Sequence, residues 1–177
     1  SGGGTVCSGA ALPNVSIALT GTSPWDITYT DGTTPTTVTG TTANPYVITG
    51  ATAGTYTVTA VSDANCTGTF SGSATVTINT ITAGTIGSDQ TICSGGDPAA
   101  FTSTADATGS GTITYQWQSS TTDCSTGFSD IASATSATYD VPSGLSTTTY
   151  FRRVATSTLN AVACTATSNC VTVTVNT

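Results

Sequence analysis

Two short stretches of this sequence, each with a cysteine, are nearly identical, and we call them the cysteine phrases. TVCSG occupies residues 5–9 and TICSG occupies residues 91–95, which places Cys7 and Cys93 86 positions apart. A cysteine thiolate can hold a metal or act as a nucleophile, and two cysteines can form a disulfide. A duplicated phrase can also mark the start of each of two duplicated domains.

An internal repeat explains the duplicated phrase. The tripeptide ITY begins 20 residues after each phrase cysteine, at residues 27–29 and again at 113–115. The closing strand patterns agree as well, because SATVTINT ends 14 residues after Cys66 and CVTVTVNT ends 13 residues after Cys164. Four landmarks in the same order indicate two homologous modules, joined by the stretch NTITAGTIGSDQ at 79–90.

Disulfides explain the cysteines better than a metal does. The chain has six cysteines and no histidine. Structural zinc sites use cysteine pairs separated by about two to four residues, and the closest pair here, Cys164 and Cys170, is six apart. Zinc is therefore the weaker alternative, and the cysteines indicate disulfides formed in an oxidising compartment.

The register of the two modules predicts how the cysteines pair. The first module holds only two cysteines, which should pair with each other, and the repeat transfers that pairing to the matching positions of the second module. The two remaining cysteines have no counterpart in the first module, so each needs the other. The predicted disulfides are Cys7–Cys66, Cys93–Cys164 and Cys124–Cys170.

The composition and the strand patterns predict an all-β fold. Thr, Val, Ile and Tyr suit a pleated, half-buried surface, whereas Glu, Lys, Met and His are absent. Short alternating runs recur at the spacing of about 8–12 residues that is typical of β-sandwiches. Trp25 and Trp117 lie on apolar faces of such runs, which predicts core packing rather than a carbohydrate-stacking surface. We expect two tandem Ig-like β-sandwich domains, at residues 1–80 and 84–177.

The charged residues argue against several classes of function. A formal net charge of −7 argues against a nucleic-acid partner, and no apolar run is long enough for membrane insertion. Without His, Glu or Lys the chain lacks the usual acid–base groups, and it has no G-x-S-x-G or P-loop motif. We therefore expect no enzymatic activity and no bound cofactor.

Calcium is the metal ion that the aspartates could bind. The candidates are Asp63 and Asp89, at the module ends. However, no D-x-D-x-D-G loop occurs, and each aspartate stands near a turn residue. Asx-turns are the simpler interpretation, and a calcium site near Asp63 or Asp89 is the alternative.

The only cations are the neighbours Arg152 and Arg153, which alternate faces on one predicted strand, so that one of them can point inward. The structural interpretation is an ion pair with a nearby carboxylate such as Asp130 or Asp140. The functional alternative is a clamp for a ligand.

The sequence resembles a known family of surface proteins. The second module contains QTICSGGDPAAF, ITYQWQSS, TYFRRVA and CTATSNCVTVTVN, and the first contains SPWDITYTDG and SATVTI. These stretches are similar to the tandem Ig-like and PKD-like repeats of giant cell-surface proteins of Bacteroidetes, among them the SprB-type gliding adhesins and related type IX-secreted proteins. The resemblance covers essentially the whole chain. It implies an extracellular location at the cell surface and many tandem copies, and the sorting domain typical of the family is absent, so we expect a segment of something longer.

A structural role is therefore expected. The chain would be a repeat unit of an extracellular bacterial surface filament or adhesin, and its partners would be neighbouring Ig-like modules of the same chain or of identical chains. One alternative is a module that binds a glycan or another surface. A second alternative is a pilin-like subunit that polymerises by strand donation, in which case one module should lack a strand of its own.

Overall fold

The computed structural model describes all 177 residues, which form β-strands and loops only. The protein divides into two compact units, Ser1–Ile78 (unit 1) and Asn79–Thr177 (unit 2). The sequence-based modules, 1–80 and 84–177, place the division a few residues later. We call the end of a unit where the chain enters its head, and the end where the chain leaves its tail.

A buried asparagine marks the head of unit 2. The side-chain amide of Asn79 donates hydrogen bonds to the carbonyl oxygens of Ser157 (2.7 Å) and Val162 (2.9 Å). The hydroxyl of Ser157 donates in return to Oδ1 of Asn79 at 2.7 Å, and both side chains are fully buried. Because buried polar groups are costly unless they are paired, this closed set of hydrogen bonds fixes where the chain enters the unit.

Unit 1 is a β-sandwich made of a five-stranded and a two-stranded sheet. Its strands are β1 (Gly4–Cys7), β2 (Val15–Ile17), β3 (Trp25–Thr30), β4 (Pro35–Thr41), β5 (Tyr46–Ile48), β6 (Gly54–Ser62) and β7 (Ser73–Asn79). The larger sheet has the order β1-β7-β6-β3-β4, and β2 pairs with β5 in the smaller sheet.

The core of unit 1 follows from the period of two in its strands. Trp25 and Ile27 are buried on β3, whereas Asp26 between them is exposed. Tyr56 on β6 and Val76 on β7 are also buried, in a second cluster. Alternate residues of a strand point to opposite faces of the sheet, so the apolar set of each strand faces the sandwich interior.

Unit 2 is a β-sandwich with a longer central sheet. Its strands are β8 (Ile81–Thr82), β9 (Thr85–Ile86), β10 (Gln90–Cys93), β11 (Ser103–Ala105), β12 (Thr108–Gly109), β13 (Thr112–Ser120), β14 (Ser129–Asp130), β15 (Thr149–Leu159), β16 (Val162–Thr167) and β17 (Val171–Asn176). The central sheet has the order β10-β17-β15-β13-β14, with β16 paired to β15. Two small ladders, β8 with β12 and β9 with β11, complete the sandwich.

An aromatic cluster forms the core of unit 2. The rings of Phe101 and Trp117 stack at 5.8 Å, and Phe151 meets Phe101 at 5.3 Å. Trp117 is fully buried, and its indole N–H donates to the carbonyl oxygen of Ser136 at 2.9 Å. Together with buried Trp25 in unit 1, this matches the core positions that the strand patterns predicted for both tryptophans.

The sequence repeat is also a repeat of backbone contacts. In unit 1 the amino group of Ser1 donates to the carbonyl oxygen of Ser16 at 2.8 Å. In unit 2 the N–H of Gly87 donates to the carbonyl oxygen of Thr102 at 3.0 Å. Both residues of the second bond are 86 positions after those of the first, which is also the spacing of the cysteine phrases.

Candidate functional site

One disulfide lies inside unit 2, between its two additional cysteines. Cys124 and Cys170 are joined at an S–S distance of 2.03 Å, with Cα atoms 5.7 Å apart. The bond ties the loop after β13 to the residue before β17, across a sequence separation of 46. It therefore holds a long loop against the final strand of the unit.

The other four cysteines do not pair as the register argument predicted. Cys66 and Cys93 are exposed free thiols, whereas Cys7 and Cys164 are disulfide-bonded. The predicted bonds Cys7–Cys66 and Cys93–Cys164 are therefore wrong, because each would include a thiol that is free. The cause lies in the position of each cysteine along its own unit.

The two repeat cysteines of unit 2 lie at opposite ends of its central sheet. Cys93 pairs with Asn176 on β17. Asn176 is three residues after Val173, the residue of β17 that pairs with Thr149 on β15. Cys164 pairs with Ser157, which is eight residues beyond Thr149 in the other direction. At about 3.3 Å per residue, Cys93 and Cys164 are therefore separated by roughly 35 Å along the strands of the sheet. A disulfide needs Cα atoms within about 7 Å. Cys93 is thus at the tail and Cys164 is at the head.

Unit 1 separates its two cysteines in the same way. Gly3, just ahead of β1, lies against β7, where an added Cβ would be 2.5 Å from the carbonyl oxygen of Thr75. Thr75 pairs with Thr55 near the start of β6, whereas Cys66 lies beyond the end of β6. The counterpart of β1, β10, runs parallel to its neighbouring final strand, so β1 leads Cys7 towards the tail. Cys66 remains at the head.

A cleft opens beside β2 in unit 1. It has a volume of about 560 Å³, and its walls come from β2 and the residues after it, from β6, and from the segment 66–74. Phe70 lines the cleft although it is 51% exposed, the most exposed large apolar side chain in the chain. The apolar lining includes Ile17, Leu19, Trp25, Val58, Val61 and Phe70.

Unit 2 fills the corresponding position with β9. Ile86 of β9 pairs with Ser103 on β11 and is buried in the aromatic core. With the offset of 86 residues, Ser103 corresponds to Ile17, and β8 and β9 correspond to polypeptide that would precede Ser1. The cleft of unit 1 therefore lies where unit 2 buries the isoleucine of its first strands.

Sequence comparison assigns the second half of the chain to a family. The profile of a domain of unknown function, DUF8696, matches residues 82–177, which is more than half of the sequence. The chain belongs to the DUF8696 family. Residues 6–76 match the profile of the Ig-like domain of nucleoporin POM152. No curated protein matches the sequence.

Solved structures also align with this chain at low sequence identity. The N-terminal eight Ig domains of Down syndrome cell adhesion molecule isoform 1.30.30 align with a TM-score of 0.50 and 14% identity, over 93% of this chain and 22% of that chain. Three N-terminal domains of the highly immunogenic outer capsid protein of bacteriophage RB49 align with a TM-score of 0.48 and 13% identity, over 96% of this chain and 61% of that chain. The chain thus spans less than two thirds of either structure. The fold is all-β with Ig-like sandwich domains.

Asp63 organises the head of unit 1 beside the cleft. Its Oδ2 accepts a hydrogen bond from the N–H of Thr22 at 3.0 Å, and its Oδ1 accepts from the N–H groups of Asn65 (2.8 Å) and Cys66 (2.9 Å). These donors, Thr22 first among them, favour the carboxylate form and lower the pKa of Asp63 to about 2. The carboxylate therefore ties the loop before β3 to the turn that carries the Cys66 thiol.

The two calcium candidates are both engaged with backbone N–H groups. The contacts of Asp63 are those of an Asx-turn with one further tether, and Oδ1 of Asp89 accepts from the N–H of Thr172 at 2.8 Å. No group of three or more His, Cys, Asp or Glu side chains converges anywhere in the chain. An N–H donor and a cation compete for the same oxygen lone pairs, so these contacts support the turn interpretation.

The low pKa of Asp63 predicts how the head of unit 1 responds to acid. The folded-state pKa of Asp63 lies below its unfolded value. The stability that the Asp63 carboxylate contributes to the folded unit is therefore complete above the ordinary pKa near 3.8 and is lost as the pH falls towards 2. We expect the Asp63 carboxyl to titrate with a midpoint near pH 2 by NMR. Asp31, whose pKa is also lowered to about 2 by the N–H groups of Thr34 and Thr33, is the matched control. An Asp63 midpoint near pH 4 would contradict the tether.

The arginines bind to neutral groups rather than to carboxylates. Nε of Arg152 donates to Oε1 of Gln118 at 2.7 Å, and its guanidinium lies 4.0 Å from the ring centroid of Phe128. Oδ1 of Asp130 accepts from the amide of Gln118 at 2.7 Å. The predicted ion pair is thus replaced by a relay through Gln118, because the amide side chain stands between the two charges.

Arg153 is the inward member of the pair and is fully buried. Its NH1 donates to Oγ of Ser103 and to the carbonyl oxygen of Ala137, and its NH2 donates to the carbonyl oxygen of Ala83 at 3.3 Å. The guanidinium also lies 4.5 Å from the ring centroid of Tyr115. These partners belong to the unit itself, so Arg153 holds segments of the DUF8696 unit together rather than clamping a ligand.

The structure contains no helix that is long and apolar enough to cross a membrane.

Proposed function

We propose that this chain is a repeat unit of an extracellular surface array, in which each Ig-like unit is completed by an extended strand arriving at its head. The observation that carries this proposal is the cleft of unit 1. It lies where unit 2 buries its own first strands, and it exposes apolar side chains that a strand would cover.

The chemistry of the cleft supports an extended segment like Ile81–Ile86 as its occupant. β2 pairs with β5 on one side, and on the other side it contacts only the short segment Ser1–Gly2. A strand that continues this pairing gains main-chain hydrogen bonds, and an isoleucine in the position of Ile86 gains about 1.5–3 kcal/mol from burial. The segment TITAGTI, which precedes the second cysteine phrase, has both properties.

The array proposal also draws on the chemistry and surface of the chain. Disulfides persist in oxidising compartments, which supports an extracellular location. Both units end on a similar strand and open on the same cysteine phrase, so the tail of one copy suits the head of the next. Head-to-tail contacts of this kind give open filaments unless the rotation closes a ring. A surface filament or adhesin of bacterial origin, as the resemblance to Bacteroidetes repeats implies, is the assembly we propose.

A strand extension tests the proposal directly. We expect that copying residues 79–86 (NTITAGTI) in front of Ser1 raises the free energy of unfolding of unit 1 by about 2 kcal/mol, because one isoleucine becomes buried. Amide hydrogen exchange at residues 16–19 should slow in the same variant. The matched control is the same extension with aspartate in place of its two isoleucines.

The outcome is decided by comparing the two extensions. Equal stability and equal exchange in both variants would contradict the completion of unit 1 by a strand. Adding the same segment as a free peptide to the unmodified chain distinguishes strand donation from another molecule, as in a pilin-like subunit, from donation within one long chain.

A glycan- or surface-binding module is the second candidate, and Phe70 favours it. Its exposed ring lines the same cleft. This candidate requires that the isolated chain binds soluble glycans, that Phe70→Ala abolishes the binding, and that the strand extension blocks it. Failure to bind on a glycan panel would leave the array proposal as the account of the cleft.

A further inference from the structure

We propose that the tail thiol Cys93 of one copy of this chain forms a disulfide with the head thiol Cys66 of the next copy. The inference rests on the proposed head-to-tail array, which brings a tail against a head. It deepens that proposal, because it makes the junction between copies covalent.

The first observation is the placement of the two free thiols. Cys93 lies at the tail of unit 2, paired with Asn176, the residue before the C-terminal one. Cys66 lies at the head of unit 1, in the turn held by Asp63, and its thiol is 3.8 Å from the Asp63 carboxylate. Both thiols are exposed, and neither has a cysteine of its own unit within reach, as the offset along the strands requires. Each therefore needs a partner from outside its unit.

The second, independent observation is the state of the equivalent cysteines. Cys7 is the repeat counterpart of Cys93, and Cys164 is the repeat counterpart of Cys66. Both counterparts are disulfide-bonded, although neither can reach the other repeat cysteine of its own unit. The two bonded positions comprise one tail cysteine and one head cysteine, and so do the two free positions. Positions that form disulfides in one copy of a repeat are expected to do so in the other when the same surroundings are supplied.

The reaction balances as a thiol–disulfide exchange. A thiolate, from Cys93 or from Cys66, attacks a small-molecule disulfide and forms a mixed disulfide, releasing one small thiol. The second protein thiolate then attacks the protein sulfur and releases the other small thiol. Overall, two protein thiols lose two protons and two electrons, and the small-molecule disulfide is reduced to two thiols.

The test uses two single variants of the full chain and their mixture. Cys66→Ser keeps only the tail thiol, and Cys93→Ser keeps only the head thiol. Each variant alone, and then both in equal amounts, is equilibrated at high concentration with oxidised and reduced glutathione and run on a non-reducing gel. Peptide mapping with a protease that cleaves before Asp63, Asp89 and Asp97 separates Cys66 from Cys93 and identifies any cross-link.

We expect the mixture to give a product of twice the chain mass, at least tenfold more abundant than in either variant alone, with a peptide joining Cys93 to Cys66. The unmodified chain should give a ladder of multimers that reducing agent collapses. Homodimers of either variant as abundant as the mixed dimer would overturn the inference, because they would show that exposed thiols cross-link without preference for a partner. Absence of any cross-link would overturn it as well.

The proposed function is tested separately in the same background. The Cys66→Ser/Cys93→Ser double variant cannot form this bond, yet it should retain the stabilisation by the NTITAGTI extension. If the extension still stabilises unit 1 but the mixture of the two single variants gives no cross-link, only the disulfide proposal is contradicted. If the extension no longer stabilises unit 1, the proposed strand contact is contradicted instead.

Discussion

Replacing both Cys124 and Cys170 by serine should lower the free energy of unfolding of unit 2 by about 4 kcal/mol. In the chain-entropy model, a closed loop with a separation of 46 residues restricts the unfolded chain by about that amount. In the double serine variant, the loop after β13 is also no longer tied to the residue before the final strand. Chemical denaturation in a Trp25→Phe background, in which Trp117 of unit 2 is the remaining tryptophan, measures the change by fluorescence.

The control for this loss is Cys93→Ser in the same unit. Cys93 is an exposed free thiol, so its replacement should change the free energy of unfolding by less than about 0.5 kcal/mol. If the double serine variant were as stable as Cys93→Ser, the bond would not constrain the unit in solution.

Arg153→Ala should destabilise unit 2 by about 3 kcal/mol or more. The substitution removes donors from Ser103 and from two carbonyl oxygens inside the unit, and it leaves a cavity under the ring of Tyr115. Unpaired buried acceptors cost about 1–3 kcal/mol each, although the loss of a buried charge offsets part of that cost. Urea denaturation of the variant measures the sum.

Two further variants separate the causes of that loss. Arg152→Ala is the control for charge, because Arg152 is only partly buried and stacks on Phe128, and it should cost less than about 1 kcal/mol. Arg153→Met fills most of the volume without donating hydrogen bonds, so it should fall between Arg153→Ala and the unmodified chain. An Arg153→Ala variant with unchanged stability would show that the guanidinium contacts do not hold the unit together.

The sequence was sufficient for the fold because period and composition act locally. Alternation of apolar residues places Trp25 and Trp117 in their cores, and a composition rich in Thr and Val without Glu, Lys or Met favours strands. The cysteines without a repeat counterpart, Cys124 and Cys170, could be paired by elimination, and the structure contains that bond.

The remaining pairings needed information that a repeat does not hold. Sequence similarity shows which cysteines are equivalent, but it does not show at which end of a sheet each one lies. The parallel pairing of β10 with β17 takes Cys93 to the tail, and the β15–β16 hairpin takes Cys164 to the head. Both facts are long-range, so counting cysteines within each module led to the wrong partners.

The cleft was not predicted, and the inward-pointing arginine was predicted with the wrong partner, for different reasons. A signal for the cleft existed in TITAGTI, the segment that precedes the second cysteine phrase and contains the buried Ile86. The partners of Arg153 offered no such signal, because they are mainly backbone carbonyl oxygens, which every residue carries. An ion pair with a carboxylate was the only partner that residue types could suggest.

Electron microscopy of the assembled native material tests the central claim most directly. The longest strand, β15, has 11 residues and spans about 36 Å, so each unit of a head-to-tail array should add on the order of 35–45 Å. We predict a thin beaded fibre with that axial period, or with twice that period if the two units differ visibly. Compact particles with the mass of a single chain would contradict the array.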